Sequence, residues 1–198
     1  MQTQPRPSGA GNRFDRAPKS NAGCYRSPTS VPESSIFSSP SRLRSAMVRP
    51  LDAVIEDAAL LQFIVVNPMK GVIATNQEGN PSARCQNNVR ARRHVVAEFD
   101  DPALTKRMQA QVASALGQSA PLVLAVDSGG KSVHAWYRVD GMTDREQGRF
   151  FAAACALGAD ATRWDVCGWL RMPGGLRVVN EVPQKRQRIL YFKGQSNG

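Results

Sequence analysis

Glu98 and Asp100 stand two residues apart in the run Val-Val-Ala-Glu-Phe-Asp at 95–100. On a β-strand such positions share a face, so both carboxylates point one way while Val95, Ala97 and Phe99 point the other. Neighbouring carboxylates repel, and a divalent cation relieves that repulsion; Mg²⁺ is commonly held by one or two carboxylates together with substrate phosphates. A second constellation follows at 131–136, where Ser132, His134 and Trp136 share one strand face opposite Val133, Ala135 and Tyr137. An imidazole can donate a hydrogen bond to a polyphosphate, and Lys131 and Ser132 lie at a turn that phosphates can approach. Plainer readings stand beside these: the acids as solvated ends of an amphipathic strand, His134 as a satisfied structural histidine. His94, the other histidine, reads as structural.

Several sharper motifs are excluded. Gly130, Lys131 and Ser132 resemble the end of a phosphate-binding P-loop, but Ala125 occupies the position of the required first glycine and a strand follows instead of a helix. Two histidines forty residues apart make no paired-histidine metal motif, and no Gly-x-Ser-x-Gly elbow occurs. Cys24, Cys85, Cys155 and Cys167 are scattered without zinc spacing or a disulfide framework, which fits a reducing cytoplasm. No apolar run approaches the roughly 18 residues of a membrane-spanning helix, so no membrane partner is expected.

The elements that must carry these residues are read from pattern. Residues 51–59 predict a short helix, 60–67 a buried strand, and 71–75 a second run able to pair with it as a hairpin. Residues 93–100 are strand-like. Asp101 and Pro102 suggest a helix start, and Leu104, Met108, Val112 and Leu116 form an apolar stripe ending at Gly117. Residues 122–127 and 132–139 predict a hairpin around Ser128, Gly129, Gly130 and Lys131. Thr143 and Glu146 have capping-box spacing and open a helix running to about Leu157. A last strand pair is expected at 169–172 and 188–192. The order from 93 to 173 is strand, helix, strand, strand, helix, strand. The fold class is therefore α+β, with an RRM-like split β-α-β-β-α-β core and an N-terminal strand or hairpin extension.

The chain carries 26 Lys and Arg against 16 Asp and Glu, a net charge of +10. Residues 1–50, rich in Pro, Ser and Arg, read as a disordered basic tail, leaving 51–198 as one domain. Such a charge favours an anionic partner, with a merely solvated basic face as the plainer reading.

In order and spacing, residues 95–100, Ser-Gly-Gly-Lys-Ser-Val-His-Ala-Trp at 128–136 and Arg-Met-Pro-Gly at 171–174 resemble the archaeo-eukaryotic primase superfamily, and within it the primase-polymerases of phage, plasmid and bacterial replication. The resemblance implies a DNA primase or primase-polymerase, a nucleotidyltransferase joining NTP or dNTP to a 3′-hydroxyl on a single-stranded DNA template. Glu98, Asp100 and a third acid, Asp160 in preference to Asp165, would hold two Mg²⁺ or Mn²⁺ ions. His134, Lys131 and Ser132 would grip the triphosphate, with Arg171 and Arg177 as further cations. Arg84, Arg90, Arg92 and Arg93 would track the template, and Trp136 would stack on a base. A helicase partner is a further implication. Two other expectations stand beside this one: a non-catalytic nucleic-acid-binding or replication-initiation module of the same fold, and a small structural or interaction protein.

Overall fold

The computed structural model describes residues 36–39, 47–180 and 182–193, with the backbone alone at 36–39 and 47. In chain order these residues form β1 (Ile36–Ser39), β2 (Met47–Arg49), α1 (Leu51–Glu56), β3 (Phe63–Val65), β4 (Ala74–Thr75), β5 (Pro81–Ser82), β6 (His94–Phe99) and α2 (Lys106–Leu116). They continue as β7 (Leu122–Asp127), β8 (Val133–Arg138), α3 (Asp144–Ala156), β9 (Leu170–Arg171), β10 (Leu176–Val179), β11 (Val182–Arg186) and β12 (Arg188–Phe192). The fold is mixed α+β. No helix among the described residues is long and apolar enough to cross a membrane.

The central sheet has the order β12-β7-β8-β6, every neighbouring pair antiparallel. Beyond β6 a single antiparallel bridge joins Phe99 to Ala159, just after α3. Val95, Ala97, Phe99, Ala135 and Tyr137 face α2 and α3, where they pack on Ala113, Leu116, Phe150, Phe151 and Ala154. The opposite face is covered as well. Val96, Leu124, Val126 and Trp136 pack there on Val54, Leu61, Ile64, Leu170 and Met172. Those partners belong to α1 and to a second sheet of order β2-β1-β3-β9, together with its flanking loops. The physical reason is in the strands: apolar residues occupy both parities of β6 and β8, and such strands bury both faces.

Several expectations need correction. Most of 1–50 lies outside the described residues, but β1 and β2 pair within the second sheet, so ordered structure begins before residue 50. β3 pairs with β1 and β9, while β4 pairs with β5, so 60–67 and 71–75 form no hairpin with each other. Residues 169–172 and 188–192 also part company: β9 joins β3, and β12 joins β7.

Helix α2 starts at Thr105, whose hydroxyl accepts from Met108 N–H, because Asp101 closes a separate turn by accepting from Ala103 N–H at 2.8 Å. Its buried stripe is Gln109, Ala113 and Leu116, with Met108 exposed. The capping box at Thr143 and Glu146 forms as the spacing predicts.

Candidate functional site

Strand register builds the site. In the β6–β8 ladder Glu98 lies directly opposite His134, a pairing that brings side chains within reach. The hairpin turn is fixed from outside by the buried Gln109 of α2. Its Nε2 donates to the Lys131 carbonyl at 3.1 Å and its Oε1 accepts from Val133 N–H at 3.0 Å. Ser132 is thereby pinned between two clamped residues.

Glu98 Oε1 accepts from Ser132 Oγ at 3.1 Å and lies 3.3 Å from His134 Nε2. A carboxylate only accepts, so that imidazole nitrogen carries the hydrogen. His134 is 3 % exposed, and among the described residues its Nδ1 has no hydrogen-bond partner. Glu98 Oε2 is 3.0 Å from Arg163 Nε, and the same nitrogen is 3.3 Å from Asp160 Oδ2. Burial pushes the Glu98 carboxyl pKa up, but hydrogen bonds and charge from His134, the Arg163 guanidinium and the Ser132 hydroxyl outweigh it and bring it down to about 2. So acidic a carboxyl is a poor proton acceptor near neutral pH; it works as a fixed negative charge.

The three expected acids do not gather at one point. Asp160 does join Glu98: its N–H donates to the Glu98 carbonyl at 2.9 Å, and both side chains converge on Arg163. Asp165 turns away, accepting from Cys167 N–H at 3.0 Å and lining a different pocket. Asp100 lies past the end of β6 and pairs with Lys131 at 3.0 Å. Among the described residues no group of three or more His, Cys, Asp or Glu is placed to hold a metal ion. These residues, in this arrangement, do not fit a two-metal cage, because a guanidinium already occupies the position on which Glu98 and Asp160 converge.

What the residues do enclose is a cationic pocket of about 150 Å³. It is walled by Lys131, Arg163, Arg171 and Arg177, with Ser128, Ser132 and His134 as hydrogen-bonding groups and Glu98 as the one acid. Arg171 is steered by Gln62 Oε1 at 2.9 Å and stacks over Phe63, 4.7 Å from the ring centre. The same Gln62 oxygen accepts from Val178 N–H at 3.0 Å, so one glutamine organises the segment carrying both arginines. Arg177 brings its Nη1 against Gly130, where any Cβ would overlap the guanidinium. Gly130→Ala is accordingly expected to expel Arg177 and weaken binding of inorganic triphosphate about tenfold, read by calorimetry, with the melting temperature little changed because a flexible side-chain end can move aside.

Arg84 and Arg92 lie elsewhere. They line an adjoining pocket of about 260 Å³ with His94, Asp165 and Trp169. There Arg84 donates to the Cys167 carbonyl, and Arg92 stacks over Trp164 at 4.0 Å. Arg90 and Arg93 sit on the connection into β6, outside both pockets. Trp136 is 8 % exposed in the core between the sheets, so the expected stacking on a base is not open to it. The sequence reading missed Arg163, Gln62 and Gln109. Only Arg163 left a signal, its spacing of three from Asp160. Comparison with known proteins returns no match: no family model, no curated protein and no solved structure matches the chain.

Proposed function

We propose that this chain is a primase-type nucleotidyltransferase domain whose pocket takes the triphosphate of an incoming NTP or dNTP. One observation carries the reading: Lys131, Arg163, Arg171, Arg177, Ser132 and His134 converge on one small cavity beside a half-buried Glu98 whose pKa is held low. The split β-α-β-β-α-β reading is supported by the β7-β8-β6 order, the helices α2 and α3 on one face, and the Phe99–Ala159 bridge where a final strand would lie.

In this proposal Lys131, Arg171 and Arg177 neutralise the phosphates and the charge that grows on leaving pyrophosphate, a form of preorganised electrostatic stabilisation. Ser132 orients Glu98 through its hydrogen bond, and His134 opposite holds the carboxylate in place. The second reading, a nucleotide-binding module without transfer, is favoured by the Arg163 bridge between Glu98 and Asp160.

The test begins with binding. The wild type should prefer nucleoside triphosphate to monophosphate, and Arg177→Ala should weaken triphosphate binding about tenfold; equal affinity for the two nucleotides, or none, defeats the proposal. Primer synthesis is then assayed on single-stranded DNA with labelled NTPs or dNTPs and Mg²⁺ or Mn²⁺. Product that disappears in Glu98→Gln supports transfer, whereas triphosphate binding without product leaves the module reading.

A further inference from the structure

We propose that single-stranded DNA runs over the β11–β12 side of the molecule, its phosphates on Lys185, Arg186 and Arg188 and a base against Tyr191. This rests on the nucleotide reading of the neighbouring pocket, and it moves the strand away from Arg84, Arg90, Arg92 and Arg93.

The first observation is a second cationic cleft of about 390 Å³, lined by Lys106, Asp127, Gly129, Gly130, Lys185, Arg186 and Arg188. Its single acid is already neutralised. Asp127 pairs with Lys106, accepts from Gly129 N–H at 2.9 Å and lies 3.7 Å from Arg188. Among the described residues neither Lys185 nor Arg186 has a carboxylate partner; Arg186 donates only to the Gly174 carbonyl, at 3.3 Å. A cleft with this excess of cations fits a polyanion.

The second observation is rigidity. Gln187, between the exposed Arg186 and Arg188, is fully buried. Its Nε2 donates to the Gln62 carbonyl at 3.1 Å, and its backbone exchanges hydrogen bonds with Gly174 and Gly175. The basic residues are therefore presented from a fixed backbone, by the same Gln62 that steers Arg171.

The third observation concerns the path. This cleft and the triphosphate pocket lie on two sides of one turn: Gly129 and Gly130 line the first, Ser128 and Lys131 the second. Gly129, at φ +71°, packs against both Lys185 and Arg177. A strand on the cleft thus has its phosphates next to the nucleotide pocket with only a glycine turn between them.

Finally, β12 is an edge strand among the described residues, and Tyr191, opposite Ala125 in the ladder, shares the sheet face of Arg188, opposite Asp127, and is 43 % exposed. Aromatic rings beside a cationic track stack on the unpaired bases of a single strand, which a duplex keeps inside its own stack.

The experiment measures binding of a labelled single-stranded oligonucleotide against salt, with labelled NTP binding followed in the same variants. K185E/R186E should lose at least about tenfold in DNA affinity. Its log–log salt slope should become shallower by about 1.4, the value for two phosphate contacts on a single strand. Y191A should lose roughly tenfold with the slope unchanged. Both should keep the wild-type melting temperature and NTP affinity, and R84E/R92E should bind DNA better than K185E/R186E. Unchanged DNA affinity and slope in K185E/R186E, or duplex competing better than single strand, overturns this path while leaving NTP binding intact. A wild type that binds DNA through these residues but no triphosphate overturns the proposed function alone.

Discussion

Gly175→Ala is expected to cost about 3 kcal/mol of stability, the upper range for overpacking. A Cβ at this position would overlap the Leu61 carbonyl oxygen and lie 2.9 Å from Met172 Cβ. Neither neighbour can rotate aside, because the first is backbone and the second is anchored directly to its own. Leu61 leads into β3, and Met172 N–H donates to the Gln62 carbonyl at 3.1 Å, so relief requires the second sheet to part from the 172–175 loop. Gly175 also accepts from Gln187 N–H at 2.9 Å, which ties the damage to the connection between β11 and β12. Urea unfolding should show a lower midpoint with an unchanged slope, and a loss under about 0.5 kcal/mol would contradict this packing. The same variant should bind triphosphate poorly, since Arg171 and Arg177 flank the displaced glycine.

Local chemistry was legible where one segment decided its own structure. The capping box at Thr143 and the hairpin around Gly129 formed as their residues dictate, and with the hairpin came the alternation that sets Ser132 and His134 on one face. Partners distant in sequence were not legible. Nothing local to β3 says that it pairs with β1 and β9 and not with its next apolar neighbour. The second core was visible only as apolar residues at both parities of β6 and β8, a pattern that does not name what covers it.

The site divides in the same way. Glu98 and His134 could be placed together from strand parity and register, and Lys131 from its turn. Arg163 reaches Glu98 through a 3₁₀ turn at 161–164 that carries no periodic signal. Gln62, Gln109 and Gln187 are buried polar side chains that hold a backbone or an arginine from another element. Composition treats a glutamine as surface decoration; only its burial and its partners reveal a clamp. Asp100 fails as partner to Glu98 because β6 ends at Phe99, after which strand parity no longer governs direction.

Glu98 is where stability and function can be separated by titration. Its carboxyl falls from an ordinary value of 4.5 to about 2 on folding. The unfolded chain therefore binds the proton more readily between those values, and unfolding free energy rises with pH across that window. The contribution, about 3 kcal/mol, is fully present above pH 4.5 and lost as pH falls through about 2. Glu98→Gln should flatten the acid limb of the stability curve between pH 2 and 4.5; an acid limb identical to the wild type would show that the charge is not held by Arg163 and His134. At neutral pH the amide removes the one negative charge lining the pocket, so triphosphate should bind several-fold more tightly. Transfer should fall by at least a hundredfold if Glu98 serves the reaction, because the fixed charge opposite His134 is gone. Tighter binding with synthesis unimpaired would exclude Glu98 from the chemistry, and tighter binding in a protein that never synthesises is the behaviour of the nucleotide-binding module.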